Sequence, residues 1–84
     1  MHEERPPIQH NLVLRRVEPE QNVARFYALM VERDLFGRTV LVRRWGRVGS
    51  RGRKRLDEHT SEAEAAEAMN KPAAAKRQCG YHDL

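Results

Sequence analysis

The segment Thr39-Val40-Leu41-Val42-Arg43-Arg44-Trp45-Gly46-Arg47-Val48, followed by Gly49-Ser50-Arg51-Gly52, decides how the chain is read. Its first part carries four β-branched residues and Trp45 and contains no proline, which asks for a strand. The paired glycines of the second part can take positive φ and ask for a tight turn. Strand alternation then divides the segment, with Arg43, Trp45 and Arg47 on one face and Val40, Val42 and Val48 on the other. Giving the valines to the core leaves an indole between two guanidinium groups on the outer face. That set is suited to stacking on a sugar or base while gripping adjacent phosphates. The same pattern also admits Trp45 as an ordinary core aromatic packed under a helix.

Working outward, Ala24 to Asp34 alternates Tyr27, Leu29 and Val31 with Phe26, Ala28 and Met30, as a central strand with two apolar faces does. Asp34-Leu35-Phe36-Gly37 joins it to the segment above as a hairpin turn. Upstream, Leu12 to Val17 is predicted as a short strand, ended by the polar turn over Glu18, Pro19 and Asn22. Downstream, Arg53 to His59 is predicted as a polar edge strand anchored by Leu56. Ser61-Glu62-Ala63-Glu64 fits a capping box and opens a helix whose stripe is Ala65, Ala66, Met69 and Ala73. Pro72 lacks the amide donor a helix interior needs, so the helix is expected to kink or stop near Asn70, with a short continuation through Arg77. Gly80 closes it, and Tyr81 to His82 is expected as an extended tail.

The fold class expected from this order is α+β, a curved antiparallel β-sheet with one helix packed across it. Pro6-Pro7 among charged neighbours makes residues 1–10 a flexible N-terminal arm, and residues 11–84 one domain. The large apolar candidates for its core are Leu12, Leu14, Phe26, Tyr27, Leu29, Val31, Val40, Val42, Val48, Leu56 and Met69. A chain of 84 residues does not divide into two units that each bury a core.

Sixteen Lys and Arg stand against twelve Asp and Glu, a formal charge of +4. The excess is segregated: from Arg38 to Leu56 there are eight basic residues and no acidic one. Arginine predominates, and its planar fork binds phosphate through two parallel hydrogen bonds. The charge pattern therefore favours a polyanionic partner, against the plainer reading of a solvated hairpin protected from edge pairing. Lone Cys79 makes no internal disulfide, which fits a reducing compartment, and the cytoplasm is the expected location. No apolar run reaches signal-peptide or membrane-spanning length, so no membrane partner is expected, and a monomer is expected.

Arg43-Arg44-Trp45-Gly46-Arg47-Val48-Gly49, followed by Gly52, resembles the signature of WGR domains. These are known best as DNA-end-sensing modules in some poly(ADP-ribose) polymerases and also as stand-alone bacterial proteins. Further blocks are similar to the family pattern in order and spacing: Asn22-Val23-Ala24-Arg25-Phe26-Tyr27, Leu35-Phe36-Gly37, Ala66 with Lys76, and Gly80-Tyr81. The resemblance runs from about Leu12 to Tyr81. It implies that Trp45 packs on the sugar of a terminal nucleotide and that Arg47 contacts the backbone, with Arg43, Arg51 and Arg53 as neighbours. Pro72 departs from the family helix, and Tyr81 stands where the polymerase members often carry Trp.

No phosphate-cradling glycine loop, nucleophile elbow or paired-carboxylate cleft is recognisable, so no enzyme, catalytic residue or cofactor is expected. Cys79 and His82 are too few for a structural zinc site, and no metal is expected. The leading reading is a non-catalytic DNA-binding module that prefers ends, nicks or single-stranded junctions, where a nucleotide is free to stack. Two others stay open: an RNA binder using the same platform, and a protein-interaction adaptor docking through Leu35-Phe36 and the Ala-rich helix.

Overall fold

A computed structural model describes residues 10–84. The expected arm over residues 1–10 lies, His10 apart, outside the described residues. Strand β1 (Asn11–Glu18) leads through a single turn of 3-10 helix (Pro19–Gln21) into β2 (Val23–Arg33). β3 (Thr39–Arg47) and β4 (Arg53–His59) follow, then the helical segments α1 (Glu62–Ala68) and α2 (Asn70–Gln78), and a final two-residue strand β5 (His82–Asp83). The sheet is antiparallel in the order β4-β3-β2-β1-β5, with the helix packed on one face. This is the α+β architecture expected from the sequence. The tail expected after Gly80 is instead an edge strand, pairing His82 with Arg15 and Asp83 with Leu14.

The helix starts as its sequence asks. Ser61 Oγ accepts from the Glu64 N–H at 3.0 Å, while the Glu64 carboxylate reaches back to the Thr60 N–H at 2.7 Å and the Thr60 hydroxyl at 2.8 Å. Those donors hold the Glu64 carboxyl below its ordinary range, the Thr60 N–H contributing most. The break expected before Pro72 falls at Met69, which places Pro72 at the third position of α2, where a missing N–H is tolerated. A turn with Gly80 at φ 94° ends α2: the Tyr81 N–H donates to the Lys76 carbonyl at 3.0 Å and the Gly80 N–H to the Arg77 carbonyl at 3.2 Å. Tyr81 is thereby turned back under the helix end.

The core lies between helix and sheet and is built from Leu14, Tyr27, Leu29, Val31, Leu41, Ala65, Met69, Ala73 and Tyr81, with Leu12, Trp45 and Ala68 packed at its margin. Each fully buried Leu or Val contributes about 1.5–3 kcal/mol of transfer free energy. The ladder sets which face this is. Tyr27 opposes Trp45, Leu29 opposes Arg43 and Val31 opposes Leu41, so the odd-numbered residues of β3 face the helix.

This reverses the face assignment drawn from the valines. Val40 and Val42 point away from the helix, Val42 being nonetheless buried at 5% exposure, while Val48 (43% exposed) and Leu56 (57% exposed) lie outside the core and Trp45 borders it. The physical reason is that both faces of β3 are partly apolar, and the larger apolar sum on the odd-numbered side of β2 decides which face the helix covers. Trp45 is accordingly half-buried, intermediate between the outer-face residue and the core aromatic that alternation allowed.

Candidate nucleic-acid interface

At the end of the sheet beside the C-terminus of α2, a cleft of about 210 Å³ opens between Asn22 to Arg25, Trp45 to Arg47, Lys76 and Tyr81. Among the described residues three cations line it, Arg25, Arg47 and Lys76, and no carboxylate does. Each is placed by a different element. Arg25 and Arg47 stand directly opposite each other across the β2–β3 ladder, and Arg16 of β1 opposes Arg25 in the same row. Arg16 is occupied by Glu18 at 2.9 Å, whereas neither Arg25 nor Arg47 makes an ion pair with a described residue. Like charges directly opposite are destabilising, and an anion lodged between them relieves that repulsion.

Lys76 comes from the helix. Its ammonium lies 4.9 Å from the centroid of the Tyr27 ring and 5.3 Å from that of Tyr81, so two aromatic faces hold the charge at the cleft wall. The Tyr27 and Trp45 rings are 6.4 Å apart and inclined at 35°, which props the indole from below. One side of Trp45 is therefore packed while the remainder borders the cleft.

Glycines shape the rim. A Cβ on Gly46 would come within 2.7 Å of the Gly52 Cα, and one on Gly52 would run into the Trp45 carbonyl oxygen. The β3–β4 turn thus folds flat against the Trp45 backbone, and Gly52, at φ 73°, also needs the left-handed region. Ser50 fastens the turn, its hydroxyl donating to the Arg47 carbonyl at 2.8 Å.

The other expected site residues divide. Arg53 opposes Trp45 on β4 and is exposed on the same side of the sheet. Arg51 is exposed in the turn, its carbonyl accepting from Arg44 Nη2 at 2.8 Å. Arg43 is not in the cleft; its Nη2 donates to Asp57 at 2.6 Å. That hydrogen bond is the largest cause raising the Arg43 guanidinium and holding the Asp57 carboxyl below the usual carboxylate range. Arg25, Lys76, Tyr81 and Asn22 converge on the cleft although no spacing argument selected them. All four belong to blocks that resembled the family pattern, which was the signal available.

Among the described residues, no group of three or more His, Cys, Asp or Glu is placed to hold a metal ion, and Cys79 is exposed. No described helix is long and apolar enough to cross a membrane. In comparison with known proteins, the model of the WGR domain family matches residues 10–84. A curated relative, an uncharacterized protein of Sinorhizobium fredii, is 35% identical over 72 residues, covering 86% of this chain and 35% of the relative. The chain thus spans about a third of the length of the curated relative it matches. No solved structure matches the chain.

Proposed function

The chain belongs to the WGR domain family, a family of nucleic-acid-binding domains, and on that premise we propose that it is a non-catalytic DNA-binding module preferring ends, nicks or single-stranded junctions. The observation that carries the reading is the cleft, free of acids among the described residues, in which the Trp45 edge, the Arg25–Arg47 row and Lys76 converge. Stacking on a half-buried indole requires a nucleotide with one free face, which duplex interiors do not offer and termini do. Trp45 stacks on the sugar or base, Arg47 and Arg25 take the adjacent phosphates, and Arg51 and Arg53 extend the basic edge along the strand leaving the cleft. Arg43 acts through Asp57 as a positioning residue for the β3–β4 pair. No catalytic role is assigned to any residue.

A titration against blunt, nicked and single-stranded DNA at several salt concentrations, with RNA as competitor, tests this. If about four phosphates are neutralised, log K falls against log salt with a slope of about −3 to −4. Trp45 emission is expected to be quenched or shifted by DNA with a free end, and Trp45→Ala to weaken end binding by about 1 to 3 kcal/mol. A flat salt profile would remove the nucleic-acid reading and promote an adaptor role for the exposed Leu35-Phe36 turn. RNA competing as well as DNA would replace the DNA assignment with a general one.

A further inference from the structure

The sheet face turned away from the helix carries a pattern the cleft does not use. Met30, Val42 and Leu56 stand side by side across β2, β3 and β4, with Asn11 of β1 completing the row. One step along the strands the row is Val13, Ala28, Arg44 and Lys54; one step the other way it is Glu32, Val40 and Glu58. In the apolar row Leu56 is 57% exposed while Val42 beside it is only 5% exposed, and Val13, in the basic row, is 38% exposed. The helix covers the opposite face. The band is thus apolar in the middle, basic on one side and acidic on the other.

We propose that this face is a self-association surface whose occupant is a second copy of the chain. A two-fold axis lying between the two sheets, along the Met30-Val42-Leu56 row, stacks that row on its counterpart and reverses the strand direction. Each copy's Glu58 then meets the other copy's Lys54, and its Glu32 lies beside the other's Arg44. An axis parallel to the strands would set acid on acid and base on base, so the charge pattern selects the first arrangement. Arg44 is already steadied by the Arg51 carbonyl, and among the described residues Glu58 has only a long 3.8 Å contact to Arg38, so both are available to a partner.

Area sets the strength. Four strands about 4.8 Å apart and three rows about 6.8 Å apart give a footprint of roughly 400 Å² per copy. Doubled, that falls short of a stable specific interface and in the range of weak, transient association, so the dimer is weak and concentration-dependent. The Trp45 cleft is on the helix side and stays open in both copies, so association does not depend on nucleic acid.

Sedimentation equilibrium of the full chain without nucleic acid, from about ten micromolar to about one millimolar, tests the proposal. The mass is expected to climb from one chain towards two. Leu56→Glu replaces an exposed residue, so its fold is expected to persist by circular dichroism while its mass stays at one chain throughout. Lys54→Glu and Glu58→Lys singly raise the dissociation constant about tenfold, and combining both in one chain recovers it. A wild-type mass of one chain at every concentration, or Leu56→Glu associating like wild type, overturns the surface. A double reversal no better than the singles overturns the two-fold arrangement.

Discussion

Two of the arginine pairs that lie directly opposite each other across strand ladders on the helix side of this sheet differ in one respect. Arg43 and Arg55 share Asp57, at 2.6 and 3.3 Å, and the like-charge contact becomes a three-membered ionic bridge. Arg25 and Arg47, two ladder steps from Arg43, have no carboxylate between them among the described residues. Residue type, face and pairing are the same, so only the acid differs. The first pair is neutralised within the fold and holds strands together. The second leaves an electropositive site beside an indole, which an external anion complements.

Reversing one member of the open pair is the hardest test of that contrast. Arg25→Glu is expected to weaken DNA-end binding by about 2 to 3 kcal/mol, roughly 30- to 150-fold, because a charge-assisted phosphate contact becomes repulsion. Thermal stability should hold or rise, since the like-charge contact with Arg47 disappears. Unchanged affinity in an anisotropy titration would break the comparison at its functional end.

The bridged pair should respond the other way. Asp57→Asn leaves Arg43 partly buried without its counter-charge, with an Nε that already has no partner among the described residues. A loss of about 1 to 3 kcal/mol in denaturant unfolding is expected, with DNA affinity essentially unchanged.

Salt dependence separates the pairs more finely. Arg47→Ala is expected to reduce the slope of log K against log salt by about one phosphate's worth, whereas Arg43→Ala should leave the slope where it was. Equal slopes for both variants would mean that the ionic bridge opens on binding.

The smallest effect is on the acid limb of stability. The Asp57 carboxyl is held low chiefly by its hydrogen bond from Arg43. Its contribution is therefore complete above the unfolded carboxylate value of about 4 and is lost as pH falls through the lower folded value. Between neutral pH and pH of about 3, Asp57→Asn should lose less stability than wild type in thermal melts. The outer carboxylates of Asp34, Glu64 and Asp83, also held low, titrate in both forms.

Local patterns carried much of the fold. Ser61 and Glu64 announced the helix start, Pro72 its interruption, and the glycines after Trp45 the turn, because each acts through its own backbone or neighbours within a few residues. The β5 strand was not legible: His82 and Asp83 carry no strand signal and pair only because the turn at Gly80 delivers them to β1. Trp45 and Arg47 stood out from their signature, but Lys76 could not be placed beside them. Its position depends on how far α2 runs after the break at Met69 and on the tyrosine rings that receive its ammonium.

What the sequence by itself determined is the alternation of β3, the basic, acid-free run around Trp45, and the order of strands before helix. Those follow from steric and charge preferences acting between near neighbours in the chain. Only the tertiary structure decided which face of β3 is covered, because that depends on the summed burial of residues from β1, β2 and the helix, with Leu41 and Trp45 turned inward and Val40 and Val42 outward. It also decided which arginines are neutralised. Asp57 reaches Arg43 through the β3–β4 register, and no linear spacing assigns a carboxylate to one guanidinium and withholds it from another.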